Sequence, residues 1–244
     1  MAMSPRWRAA VALLATVIGC AVTARLAIWQ LDRAAQKVHI QTEIDTRRTL
    51  PPLTAASLAV TVDAARTQEY RRASLRGEWV ADRTVFLENR QMNGRPGFFV
   101  VTPLRLEGRQ EAVLVQRGWV PRNFEDRTAL PTVKTSPGLT MVDGLIAPPP
   151  SRLYEFAPMG SGLIRQNLDV AAFGRESHLA LLPLSVLQSD SPSTIGDGLL
   201  RQWALPVLDV QMHYGYAFQW FALCALMAGL YVWFQLIRPY WRKS

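Results

Sequence analysis

The chain has 244 residues, 27 of them lysine or arginine against 19 aspartate or glutamate, for a formal net charge of +8. Its arginines are scattered through strand-like segments and form no block, which argues against nucleic acid and for a basic surface facing anionic lipid or an acidic partner. The two cysteines, Cys20 and Cys224, both fall in apolar runs, so the segment between them can hold no disulfide, thiolate metal site or cysteine nucleophile, and a copper carrier using paired thiols is excluded.

Ala9 to Ala24 (AAVALLATVIGCAVTA) is uncharged and follows Arg6, Trp7 and Arg8. A membrane span needs about 20 apolar residues, and Leu26-Ala27-Ile28-Trp29 supplies the missing length if Arg25 snorkels or faces protein. A first transmembrane helix is therefore expected over 9–29. Two readings compete with it: a cleaved signal peptide with Val22-Thr23-Ala24 as the small-residue site, and a lipoprotein signal ending before Cys20. Gln30 to Thr49 carries Leu31, Ala34, Ala35, Val38 and Ile44 at helical spacings, so a helical stalk is expected over 30–49. Pro51-Pro52 ends it, and Leu53 to Ala65 is expected to form a short helix capped by Thr54.

From Glu69 the pattern changes to strands. Tyr70 to Val80 is partly alternating, Thr84 to Glu88 follows, and Asn89 to Gly97 reads as a turn containing Asn93-Gly94 and Pro96-Gly97. Phe98 to Leu106 and Glu111 to Val120 are β-rich runs joined through Glu107-Gly108. Gly118 between two large residues suggests a bulge or a close backbone approach. Further strands are expected at Leu139 to Ile146, Gly162 to Leu168 and His178 to Leu182, with a short helix at Asp169 to Phe173. Pro148-Pro149-Pro150 and Ser189 to Gly198 read as loops.

The run Ala217 to Ile237 has no charged residue, and its only strongly polar one is Gln235. It is preceded by HYGYAFQWF, residues 213 to 221, and followed by Arg238, Pro239, Tyr240, Trp241, Arg242 and Lys243, a basic stop with aromatic anchors. A second transmembrane helix is expected over 213–237, with a basic cytoplasmic tail over 238–244. The fold class expected is thus two transmembrane α-helices flanking one α+β, mainly antiparallel β, extramembrane domain over 30–212. The basic tails put both termini in the cytoplasm or an equivalent compartment and the main domain on the outer, periplasmic or intermembrane-space, side; a bacterial inner membrane with a periplasmic domain is the location expected.

The chain has three histidines, His39, His178 and His213, none at metal-ligand spacing from another, and no G-x-S-x-G elbow, phosphate loop or dinucleotide fingerprint accompanies them. An enzyme is not expected. His39 reads as part of a solvated face and His178 as a hydrogen-bonded structural residue at a strand start. His213 has two readings. It belongs to an interfacial aromatic belt, or it is an axial ligand for a flat, apolar cofactor, with Tyr216 and Trp220 on its own helical face. The outward first helix and the inward last helix bring Trp29 and His213 to similar depth, so the two helices would frame one site. A backbone carbonyl or Gln30 is an alternative partner for the imidazole.

Trp29-Gln30, Arg33 and Lys37, a β-domain, and a terminal His213-x-x-Tyr216-Ala217-x-x-Trp220-Phe221 together resemble the surfeit-locus protein family (Shy in yeast). Leu87-Glu88-Asn89-Arg90, Gly94-Arg95-Pro96-Gly97, Val101-Thr102-Pro103-Leu104 and Val115-Gln116-Arg117-Gly118-Trp119-Val120-Pro121 also match, in consistent order. Ala27 departs from a frequent glycine and Gln116 from a frequent asparagine. The resemblance implies a membrane-bound assembly factor of haem–copper cytochrome c oxidase that inserts or stabilises haem a in subunit I. It also implies haem contact through His213, with Trp29, Gln30, Tyr216 and Trp220 around the cofactor and haem a synthase as a further partner. Arg117 and Trp119 are candidate partner-binding residues, with Trp119 as plain core the alternative. A haem-independent scaffold that holds assembly intermediates is the competing function, and an envelope enzyme with two anchors the third.

Overall fold

A computed structural model describes residues 5–123, 125–126, 130–151, 153–154, 162–203 and 210–238. The expected basic tail beyond Arg238, and Met159-Gly160-Ser161, lie outside them. The chain divides into a helical unit, Met1–Glu43 with Pro206–Ser244, and a second unit, Ile44–Leu205.

The helical unit is built from α1 (Pro5–Thr49) and α4 (Val210–Tyr231), the latter continuing into a π-helical turn at Val232–Ile237. Both helices are long and apolar enough to cross a membrane. α1 is one unbroken helix of 45 residues, about 67 Å at 1.5 Å per residue, so the expected first span and stalk are a single element. Its apolar stretch tolerates threonines because each hydroxyl donates to a carbonyl of the preceding turn: Thr16 Oγ1 to Ala12 O and Thr23 Oγ1 to Gly19 O, both 2.8 Å. α1 and α4 run antiparallel. Gln30 meets His213, whereas Cys20 and Cys224 exchange thiol-to-carbonyl bonds at 3.5 and 3.6 Å, so one index falls as the other rises.

Among the described residues of the second unit, α2 (Val62–Gln68) and α3 (Val170–Ser177) accompany seven strands: β1 (Arg72–Trp79), β2 (Val85–Met92), β3 (Arg95–Leu106), β4 (Ala112–Pro121), β5 (Leu139–Ala147), β6 (Ile164–Arg165) and β7 (Leu181–Gln188). The order is β1-β5-β7-β4-β3-β2-β6, and β1 also pairs with β3. Five strands, β1-β5-β7-β4-β3, therefore close into a barrel, which removes their free edges. The interior takes alternate residues from every one of them, including Leu75, Leu104, Val115, Ile146 and Leu184. A second apolar layer outside joins Val85, Leu87, Val101 and Leu114 to Leu168 and Phe173 of α3 and its approach. Most pairings are antiparallel, as expected; β4–β7 and β2–β6 are parallel.

Several boundaries differ from the sequence expectation. The Leu53–Ala65 segment is a 3-10 turn at Ala55–Ser57, capped by Thr54 as expected, followed by α2 capped by Thr61. Leu53 itself is extended, donating to Arg72 O at 2.8 Å and accepting from Ser74 N at 2.9 Å. The Asn89–Gly97 turn shrinks to Asn93-Gly94, both at positive φ, with Asn89 (φ 58°) absorbed as a bulge in β2. Only Ile164–Arg165 of the expected 162–168 strand pairs; beyond it, the carboxamide of buried Asn167 holds the Leu153 backbone, accepting from its N–H and donating to its carbonyl at 2.7 Å each. His178 starts no strand. It is an exposed, left-handed cap (φ 57°) on α3, which runs to Ser177, and β7 begins at Leu181 and extends to Gln188. Pro183 interrupts the β-pattern and lies where the β4–β7 register shifts, a position that requires no ladder donor.

Gly118 bears out both features expected of it. The β3–β4 register pairs Val100 with Gly118 and Val101 with Gln116, which leaves Arg117 as the extra, bulged residue. A Cβ on Gly118 would lie 2.6 Å from Leu199 Cβ and 3.0 Å from Leu200 O. Gly118→Ala is therefore expected to push the Leu199-Leu200 segment away, at about 1–3 kcal/mol. Chemical denaturation of the two proteins measures it; an unchanged midpoint would mean the segment yields freely.

Candidate functional site

His213 and Gln30 meet in the helical unit, although 183 positions separate them: Nδ1 of the ring is 2.6 Å from Gln30 Oε1. An amide oxygen can only accept, so Nδ1 is the donor in this contact, and in the neutral ring the lone pair then sits on Nε2. This is the arrangement that metal-binding histidines use, with one nitrogen tied to a neighbour and the other presented. The ring is half-buried, as is Gln30.

The residues beside this pair explain how the helices approach. Thr23, Ala27 and Ala34 of α1 and Ala217 of α4 are all buried, and their side chains are small. Ala27, at the position where the family often has glycine, is fully buried. Trp29 and Tyr216 are each 47% exposed, so both offer apolar ring surface at the level of the histidine. Trp220, one turn beyond Tyr216, is half-buried. No two of these three rings stack on each other among the described residues. The donor set suits an iron porphyrin: an imidazole held in orientation, with flat apolar surfaces around it. His39 is exposed and 3.8 Å from Glu43 one turn on, in keeping with its solvated face.

Arg117 and Trp119 lie in the β unit. Trp119 is 1% exposed, and its indole N–H donates to Arg90 O at 2.9 Å. That is the core position weighed as its alternative, and it leaves the ring no free surface for a partner. Arg117 is also buried, but its surroundings are polar. Nη1 donates to Thr135 Oγ1 at 2.6 Å, Nη2 to Lys134 O at 2.8 Å, and the guanidinium carbon stands 4.7 Å from the Trp79 ring centre. Trp79, Gln188 and Asp197 around it were not singled out by sequence. They come from β1, β7 and a loop, and no spacing connects them.

Comparison with known proteins gives a consistent result. The SURF1 family model matches residues 17–225. The Cytochrome oxidase assembly protein SHY1 of Saccharomyces cerevisiae is 30% identical over 95 residues, 39% of this chain and 24% of the yeast protein. Surfeit locus protein 1 of Arabidopsis thaliana is 30% identical over 117 residues, 44% of this chain and 33% of the plant protein. The chain thus spans a third or less of either relative's length in these matches.

Proposed function

Because the chain belongs to the SURF1 family, we propose that it assists the assembly of a haem–copper cytochrome c oxidase, binding haem a at the outer membrane interface and helping its insertion into, or stabilisation in, subunit I. The observation that carries this reading is the hydrogen bond between His213 Nδ1 and Gln30 Oε1. It fixes the ring's orientation through Nδ1 and leaves Nε2 as the nitrogen that can face an iron.

Haem, when bound, supplies an iron that accepts a lone pair from that nitrogen. His213 would hold the iron, Gln30 would fix the ring, and Trp29, Tyr216 and Trp220 would cover the porphyrin. The chain would act as a carrier and not as an enzyme, with subunit I and haem a synthase as its partners. Both helices would cross a bacterial inner membrane, termini cytoplasmic and β unit periplasmic. Their antiparallel pairing and the basic residues Arg6, Arg8 and Arg238 at their ends support this orientation.

The test is the haem-to-protein ratio and Soret spectrum of detergent-purified protein from a haem-a-producing host. His213→Ala should abolish iron ligation while membrane insertion persists, since the apolar run from Ala217 is untouched. Gln30→Leu, which frees the ring, should weaken haem binding by about 10–100-fold. An unchanged spectrum in His213→Ala would show that the histidine is no ligand. A parent protein without haem would favour the haem-independent scaffold.

A further inference from the structure

The seam between α1 and α4 is closed along most of α4 and opens at one end. On α4 it recurs at intervals of three and four residues, through His213, Ala217, Trp220, Cys224, Met227 and Tyr231, each buried or half-buried. Beyond Tyr231, every residue to Arg238 is exposed, and the helix makes its π-helical turn over Val232–Ile237. A π turn holds more residues than an α turn, so it carries the side chains that follow off the three-and-four stripe. Met227 still packs on α1: a Cβ on Gly19 would lie 3.0 Å from Met227 Sδ. Past that contact α1 presents the small residues Ala12, Ala15 and Thr16. A groove of about 370 Å³ remains between them and Tyr231, Phe234 and Gln235.

The groove is apolar along its wall and basic at its end. The Thr16 hydroxyl donates to Ala12 O at 2.8 Å, so α1 offers the groove methyl surface and no free donor. Arg238 holds its guanidinium 5.5 Å from the centre of the Phe234 ring, at the groove's edge. Arg8 stands one turn before Ala12, on the face of α1 that lines the groove. Both arginines are exposed. Residues 1–24 and 210–244 contain no aspartate or glutamate, so neither stretch of chain offsets their charge.

We propose that this groove seats one anionic phospholipid, with an acyl chain between Ala15 and Phe234 and the phosphate met by Arg8 and Arg238. Met227 to Gln235 covers about 12 Å at 1.5 Å per residue, so the groove takes much of an acyl chain and not a headgroup alone. Charge selects the lipid class. Each arginine beside an anionic headgroup strengthens binding about fivefold, whereas a choline headgroup brings a cation of its own to the same place. The inference rests on both helices crossing a membrane. It is independent of His213 and of haem.

The test is native mass spectrometry of the full-length protein in detergent, titrated with palmitoyl-oleoyl phosphatidylglycerol or with the phosphatidylcholine of the same chains. One phosphatidylglycerol should be retained per protein, with at least a tenfold preference over phosphatidylcholine. Arg8→Gln and Arg238→Gln should each weaken its binding about fivefold. Ala15→Phe fills the groove and leaves every charge in place, and it should weaken binding at least tenfold. Inorganic phosphate should not displace the lipid. Equal retention of the two lipids overturns the proposal, as does displacement by inorganic phosphate. So does an Ala15→Phe protein that binds like the parent, because the basic end would then attract anionic lipid without a seat for it. Should the arginine variants insert poorly, Ala15→Phe and the comparison of the two lipids decide the matter.

Discussion

Trp119→Ala is expected to destabilise the β unit by about 3–5 kcal/mol, a large part of the 5–15 kcal/mol that holds an ordinary domain together. The ring is among the largest fully buried side chains of the protein. Its loss leaves a cavity where β3 and β4 meet, because Gly97, across the strand pair, has no side chain to fill the gap and lies directly against the indole. It also strips the Arg90 carbonyl of its indole donor. Arg90 is itself buried and ties down the loop through Ser151 O at 2.8 Å and Gln166 O at 3.0 Å, so the damage should spread to that segment. Equilibrium denaturation followed by near-ultraviolet circular dichroism measures the loss, and Trp119→Phe should cost visibly less. If Trp119→Ala kept the parent's midpoint yet failed in oxidase maturation, the ring would have a role in partner binding that its burial does not suggest.

Asp197→Ala should be nearly as damaging, at about 3–5 kcal/mol, because it strands a buried guanidinium. Arg201 has a side chain 2% exposed, and Asp190, the carboxylate left to it, is 81% exposed and well screened by water. Asp190→Ala alone should change stability by less than about 1 kcal/mol for the same reason. The pair also discriminates between two sources of the effect. If the cost comes from an unpaired buried charge, the double variant Asp197→Ala, Arg201→Met should recover most of what Asp197→Ala loses. If the double variant is as unstable as the single one, packing and not charge is what the pair contributes.

Much of the helical unit is legible in the sequence. An uncharged run of sufficient length can satisfy its backbone in an apolar medium only as a helix, so Ala9 to Ala24 and Ala217 to Ile237 announce α1 and α4 without help from the rest of the chain. Proline also acts locally, and Pro51-Pro52 ends α1 as expected. Gly118 is readable for the same kind of reason, since a residue without a side chain between arginine and tryptophan marks a place where backbone comes close. Local signals fail where tertiary structure supplies the stabilisation. Pro183 breaks the β-pattern of β7, but the register shift beside β4 accommodates it. His178 reads as a strand residue until α3 is seen to need a left-handed end.

The candidate sites divide along the same line. His213, Tyr216 and Trp220 share a helical face by spacing alone, and the motifs around them lead to the same family that the comparison finds. That Gln30 is the residue bound to His213, leaving Nε2 as the free nitrogen, depends on the register between two helices separated by 183 positions. The barrel closure through β1 and β3, the stacking of Arg117 on Trp79, and the burial of Trp119 are likewise tertiary facts. The sequence by itself determined the apolar helices, the β-rich middle and the histidine motif, because these follow from periodicity and backbone satisfaction within a few turns of chain. Which side chains face one another across the barrel and across the helix pair was decided only by tertiary structure, because burial and pairing are properties of surfaces brought together from distant parts of the chain.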